Sequence, residues 1–184
     1  MSGFEWNPRL TKAVDIPIEL YESQIGRYFI GYADGLTFGN GTSAWARLYN
    51  PTGSNVNLHV NVWTVTDIST APFRAQFWFN ASVPGSYSTA TPTPTNTAFR
   101  PVPVPKTELQ LASNVTDAPE GGVKAFVRRG EPVTTVVETE NGKLIFPPGG
   151  SFLVYLSLIE DAGTAAEGRI AFGWWEEPLH GCVR

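Results

Sequence analysis

Few side chains in this sequence are of the kinds that do covalent chemistry, and their spacing decides which reactions they can serve. There are two histidines, His59 and His180, and one cysteine, Cys182. A zinc site takes three or four nitrogen, sulfur or carboxylate ligands. His180-Gly181-Cys182 offers two at the very end of the chain, so it reads as a tail. Glu176-Glu177 and Glu160-Asp161 are the adjacent carboxylates. A glycosidase needs its two carboxyls about 5–10 Å apart across one bond. Neighbours on a strand point to opposite faces, so neither pair flanks a bond by itself. No nucleophile elbow, metalloprotease helix, phosphate-binding loop or dinucleotide fingerprint occurs. Asn40-Gly41-Thr42, Asn80-Ala81-Ser82 and Asn114-Val115-Thr116 match the glycosylation sequon, but no secretion signal accompanies them. These residues predict no catalytic site, no metal and no cofactor, and hence a protein that is not an enzyme.

The indoles carry more signal. In a strand with period-two alternation, Trp63 shares its parity with His59 and Asn61, and Trp78 shares its parity with Arg74 and Gln76. Trp45 shares its parity with Arg47, and Trp175 with Arg169 and Glu177. Tryptophans on polar parities are expected to point outward, where a large apolar area asks for a cover. The cover is either the chain's own proline-rich or N-terminal segment, another subunit, or a ligand stacked on the rings. Interface or stacking residues on this reading are Trp45, Trp63, Trp78 and Trp175, with Arg47, Arg74, Gln76 and Asn61 beside them.

The elements that hold these residues are strands. The 184 residues are 42% hydrophobic and only 16% charged, with 18 glycines and 15 prolines, which suits one globular domain rich in turns. Apolar or alternating runs fall at 27–32, 36–38, 43–50, 56–68, 73–80, 108–112, 123–129, 133–140, 143–146, 151–159 and 169–176. Asn40-Gly41 and Asn141-Gly142 are the dipeptides of tight hairpins. Eleven short runs punctuated by turns predict an all-β fold, an antiparallel β-sandwich of jelly-roll-like form. The run 151–159 is apolar on both parities and is expected at the centre of a sheet. Residues 27–177 form the sandwich, 1–26 an N-terminal extension with at most one helical turn at 18–24, and 178–184 a C-terminal tail. Within the sandwich, residues 82–107 hold six prolines and are read either as a rigid crossover or as an arm toward a neighbour. In the extension, Ile16, Ile18 and Leu20 alternate at period two and could donate a strand to another chain's open edge.

The net charge of −4 and the lack of a basic stripe argue against nucleic acid. No run approaches the ~20 apolar residues of a membrane span. The first twenty residues hold Glu5, Asp15 and Glu19 and no unbroken apolar core, which predicts synthesis in the cytoplasm without a signal peptide.

Three motifs, Trp45-Ala46-Arg47-Leu48-Tyr49-Asn50-Pro51, Phe146-Pro147-Pro148-Gly149-Gly150-Ser151-Phe152 and Ala171-Phe172-Gly173-Trp174-Trp175-Glu176-Glu177, resemble an uncharacterised family of small β-rich proteins found largely in spore-forming bacteria. The resemblance runs from about residue 28 to residue 177 and implies a bacterial setting with a role at the spore surface, reached when the mother cell lyses. It implies no activity. The expectation is a structural protein that self-associates; the alternative is a carbohydrate-binding module using the outward tryptophans.

Overall fold

The computed structural model describes residues 15–69, 71–159 and 163–179. The order is α1 (Ile18–Gln24), β1 (Tyr28–Gly39), β2 (Ser43–Tyr49), β3 (Val56–Asp67), β4 (Phe73–Phe79), β5 (Ser88–Ala90), β6 (Thr93–Pro94), β7 (Glu108–Val115), β8 (Val123–Gly130), β9 (Thr135–Phe146), β10 (Ser151–Leu158) and β11 (Ala165–Pro178). Two antiparallel sheets result, one ordered β6-β1-β11-β3-β9 and the other β5-β7-β2-β10-β4-β8. The pairing is nested: β1 with β11, β2 with β10, β3 with β9, and β4 with β8. From β1 to β4 and from β8 to β11 successive strands alternate between the sheets, and the inner faces meet in one core. β10 lies between β2 and β4 and is buried from Ser151 to Leu156, as its two apolar parities predict.

Asn40 and Gly41 both take positive φ, 53° and 79°, and close a tight turn, bridged by Gly39 and Thr42, that carries the chain from β1 in the first sheet to β2 in the second. Asn141 and Gly142 take the same conformation, φ 51° and 69°, without making a hairpin. They sit inside the continuous strand β9, where the register to β3 jumps, so the expected turn is a bulge. A second bulge lies in β3. Its register to both β11 and β9 skips Asn61. One extra residue reverses the alternation: Leu58 and Val60 face the core before it, and Trp63 and Val65 after it. The expectation that Trp63 points outward is thereby corrected. Its ring is fully buried, 4.3 Å from Phe77 between centroids, and its Nε1 donates to Glu140 Oε1 at 3.2 Å.

The strand-donor reading of Ile16, Ile18 and Leu20 is also corrected. Ile18 and Leu20 lie in α1, and Ile16 in the unpaired stretch before it. Pro17 explains the change: its φ of −55° suits a helix start, and its carbonyl accepts from the N–H of Leu20 and Tyr21. The part of the N-terminal extension before Asp15 lies outside the described residues.

The proline-rich segment lies against its own domain. β5 extends the second sheet beside β7, and β6 extends the first beside β1. Thr95 N–H donates to Tyr28 O, and the Glu176 carboxylate accepts from the Lys106 and Thr107 N–H groups at 2.8–2.9 Å. Truncating Trp63 leaves a cavity among Phe77 and Phe126 and takes the indole donor from Glu140 Oε1, whose other oxygen keeps Lys143. Trp63→Ala should cost about 3–5 kcal/mol in urea unfolding with an unchanged slope. A loss below ~1 kcal/mol would mean that this indole does not fill the core.

Candidate interaction face

Alternation along the first sheet assigns its outer face. Phe29, Ile170, Phe172, Trp174, Leu58, Val60, Trp63 and Val65 belong to the core, so the residues between them point away from it. Register arranges the outward residues in rows across β1, β11, β3 and β9. One row is Tyr28, Trp175, His59 and Ile145. The next is Ile30, Gly173, Val62 and Thr139, and the third is Tyr32, Ala171, Thr64 and Val137. The second and third rows contain no charge. Arg169, paired with Asp34, begins the charged boundary beyond them.

Small residues on β11 hollow the face. Ala171 and Gly173 form a floor between Ile30 and Tyr32 on one side and Val62 and Thr64 on the other, with Thr91 and Thr93 at the rim. The groove measures about 410 Å³. Gly173 is required there: a Cβ would come within 2.6 Å of Tyr28 Oη and 2.8 Å of Val62 Cγ1. Ile30 is 49% exposed, Tyr32 65% and Val137 59%, an unusual concentration of bare apolar surface for a sheet.

Tyr28, Trp175 and His59 of the first row are covered, while Ile145 at its end stays exposed. The His59 ring stacks on Trp175 at 5.1 Å and 10° between planes. His59 Nδ1 lies 3.1 Å from Gly142 O and Nε2 lies 3.2 Å from Glu177 Oε2. Asn61 Nδ2 donates to Tyr28 Oη at 2.8 Å. Burial pushes the Tyr28 phenol above its ordinary range, the Asn61 hydrogen bond opposes the rise, and the charge of Glu19 adds to it. Gly142, delivered by the β9 bulge, presses on the far edge of Trp175, and α1 packs across β1 and β11.

The residues singled out from sequence do not converge. Trp175 and Asn61 lie on the first sheet and are buried, Trp63 is in the core, and the other five belong to the second sheet. Trp45 does point out of the second sheet, yet it is fully buried, because the chain from Ala81 to Tyr87 folds over it. Its Nε1 donates to Pro84 O at 3.0 Å, and it packs with Ala112, Val115, Leu153 and Tyr155. Trp78 is half-buried at the border of this cluster, with Lys124 Nζ 4.8 Å from its ring. Arg47 donates to Gln110 and Ala81 O, Gln76 is half-buried, and Arg74 is exposed. The expectation of a solvent-exposed tryptophan platform is corrected: intrachain segments cover these rings.

The carboxylates behave as strand neighbours should. Glu176 is buried and binds the proline-rich segment, whereas Glu177 sits outside with His59. Glu160, Asp161, His180 and Cys182 lie outside the described residues. Among the described residues no three His, Cys, Asp or Glu side chains gather as a metal site, and no helix is long and apolar enough to cross a membrane. Sequence reasoning missed the groove. The signal was present in the alternation of Tyr28, Ile30 and Tyr32 against Phe29, Gly31 and Ala33, and in the small pair Ala171 and Gly173.

The fold and this face define an all-β sandwich with an uncharged outer groove. The chain belongs to a family of unknown function (DUF6143), whose model matches residues 5–181. Comparison with curated proteins and with solved structures finds no match.

The aromatic row depends on Gly142. A Cβ there would fall 1.7 Å from Trp175 Cη2, at a φ of +69° that side chains resist. Gly142→Ala should lower stability by about 2–3 kcal/mol, read from the denaturation midpoint. A change under ~0.5 kcal/mol would contradict the packing of Gly142 on the ring.

Proposed function

We propose that this chain is a non-catalytic structural protein that self-associates through the outer face of its first sheet, on a jelly-roll-like sandwich. The carrying observation is the pair of charge-free rows in which Ile30, Tyr32 and Val137 stand about half or more exposed. A chain of net charge −4 repels its copies, and rows without ionic groups are where two copies can meet without burying unpaired charge. The resemblance to proteins of spore-forming bacteria gives the setting, a layer or appendage at the spore surface reached on lysis of the mother cell.

A second reading keeps the same face and changes the occupant. Tyr32 is an exposed aromatic beside the hydroxyls of Thr64, Thr91 and Thr93, the combination that stacks and hydrogen-bonds a sugar. This replaces the tryptophans as the stacking element of a carbohydrate-binding module.

Light scattering over a concentration series separates the two. Self-association requires a mass that rises above the 20.1 kDa monomer, and Tyr32→Glu should return it to the monomer without altering stability by more than about 0.5 kcal/mol. A wild-type chain that stays at 20.1 kDa at every concentration overturns it. Heat released on titrating glycans into that monomer would then support the carbohydrate reading.

A further inference from the structure

Helix α1 is turned inside out. Ile18, Leu20 and Tyr21 are 47%, 45% and 46% exposed, whereas its acidic residue Glu22 is 6% exposed. The Glu22 Oε2 atom is buried with no hydrogen-bond partner. That oxygen has given up water and gained no donor, while three apolar side chains of the same helix stand in solvent. Such an arrangement favours the neutral acid beneath the helix.

The charged groups around it define the balance. Arg27 lies just beyond the helix, Glu177 comes from β11 and His59 from β3, while Glu19, on the helix itself, faces Tyr28. Burial pushes the Glu22 carboxyl above its ordinary value, Arg27 pulls it back, Glu177 pushes it up again, and His59 counters. The helix is held at its C-terminal end. Ser23 Oγ and Thr95 Oγ1 are 2.8 Å apart, Arg27 N–H donates to Glu22 O at 2.8 Å, and Gly26 abuts the Phe99 ring. Those contacts form a hinge next to the start of β1.

We propose that α1 is a pH-gated lid on the candidate face, closed while Glu22 is protonated and lifted when it ionises, so that the Tyr28–Trp175–His59 row joins the two open rows. The lid stands on its own geometry, and its role in assembly rests on the self-association reading above. The proton involved is the one on Glu22, released to water as the helix lifts. The closed state holds that proton more tightly than the open state, so acid favours closure. Closure is lost as pH rises from the ordinary glutamate value of about 4.3 through the higher value of the closed state. Opening exposes an indole, a phenol and an imidazole in one register row, adjacent to Gly173 and Val62. The bare apolar side chains of α1 travel with the lid, giving the open form two apolar surfaces in place of one.

Amide hydrogen exchange on the full chain tests this, with rates corrected for intrinsic chemistry at about pH 5 and about pH 8. Amides of residues 18–26 should lose protection severalfold at the higher pH, while those of β10 do not change. Glu22→Gln, a permanently neutral isostere, should keep α1 protected at both values. Equal protection of wild-type α1 at the two pH values overturns the lid, and so does an undiminished pH response in Glu22→Gln. Light scattering on the same samples keeps the two ideas apart. A lid that opens on a chain that remains monomeric overturns the assembly reading and leaves the lid standing. Assembly without any change at α1 does the reverse.

Discussion

One inserted residue in β3 organises both sides of the first sheet. Leu58 and Val60 face the core, and an unbroken strand would send Val62, Thr64 and Thr66 in after them. The bulge at Asn61 exchanges the two parities. Trp63 enters the interior, where Phe77 and Phe126 pack on it and Glu140 takes its N–H. Val62 and Thr64 go out and become one wall of the groove. Asn61 itself stays buried and binds the hydroxyl of Tyr28. The packing of the core and the character of the outer face thus share a single cause. Register makes that cause strict, because a shift of one residue moves every side chain of a strand to the opposite face.

The two sheets finish their outer faces differently. On the second sheet, the chain after β4 doubles back over Trp45, and Ala81, Val83, Ala112 and Val115 complete a small satellite core. That sheet has no large apolar residue left on the faces of its central strands. On the first sheet, α1 and the Gly142 bulge cover Tyr28, Trp175 and His59 of a single row and stop. The neighbouring rows are flat, uncharged and hollowed by Ala171 and Gly173. Their emptiness stands out because the rest of the chain supplies covers so freely. Even the proline-rich segment, which was free on sequence grounds to reach another subunit, is fastened to its own domain by Thr95 and by the buried carboxylate of Glu176.

The architecture was legible because strand alternation and turn residues are local properties. The sandwich, the centrality of β10, the tight turn at Asn40-Gly41 and the short helix at 18–24 all follow from neighbours in sequence. The site was legible only in part, since bulges break the alternation from which a face is inferred. Asn61 reverses the side of Trp63, and Asn141-Gly142, with the backbone angles of a hairpin, continues a strand instead. The outward parities of Trp45 and Trp175 were read correctly. Their covers, residues 81–87 for Trp45 and both Gly142 and α1 for Trp175, come from segments more than 30 residues away, and no local pattern reports contacts of that span. The groove escaped notice because glycine and alanine matter here by what they leave empty.

The account turns on which aromatic residues meet solvent in the isolated chain. Hydroxyl-radical footprinting at about pH 5, where α1 is closed, across a dilution series measures that directly. The account predicts that Tyr32 is oxidised rapidly in dilute solution while Trp45, Trp63 and Trp175 are protected, and that Tyr32 alone among them becomes slower to react as concentration rises. Rapid oxidation of the three tryptophans in the monomer, or a Tyr32 rate indifferent to concentration while the mass increases, would contradict it.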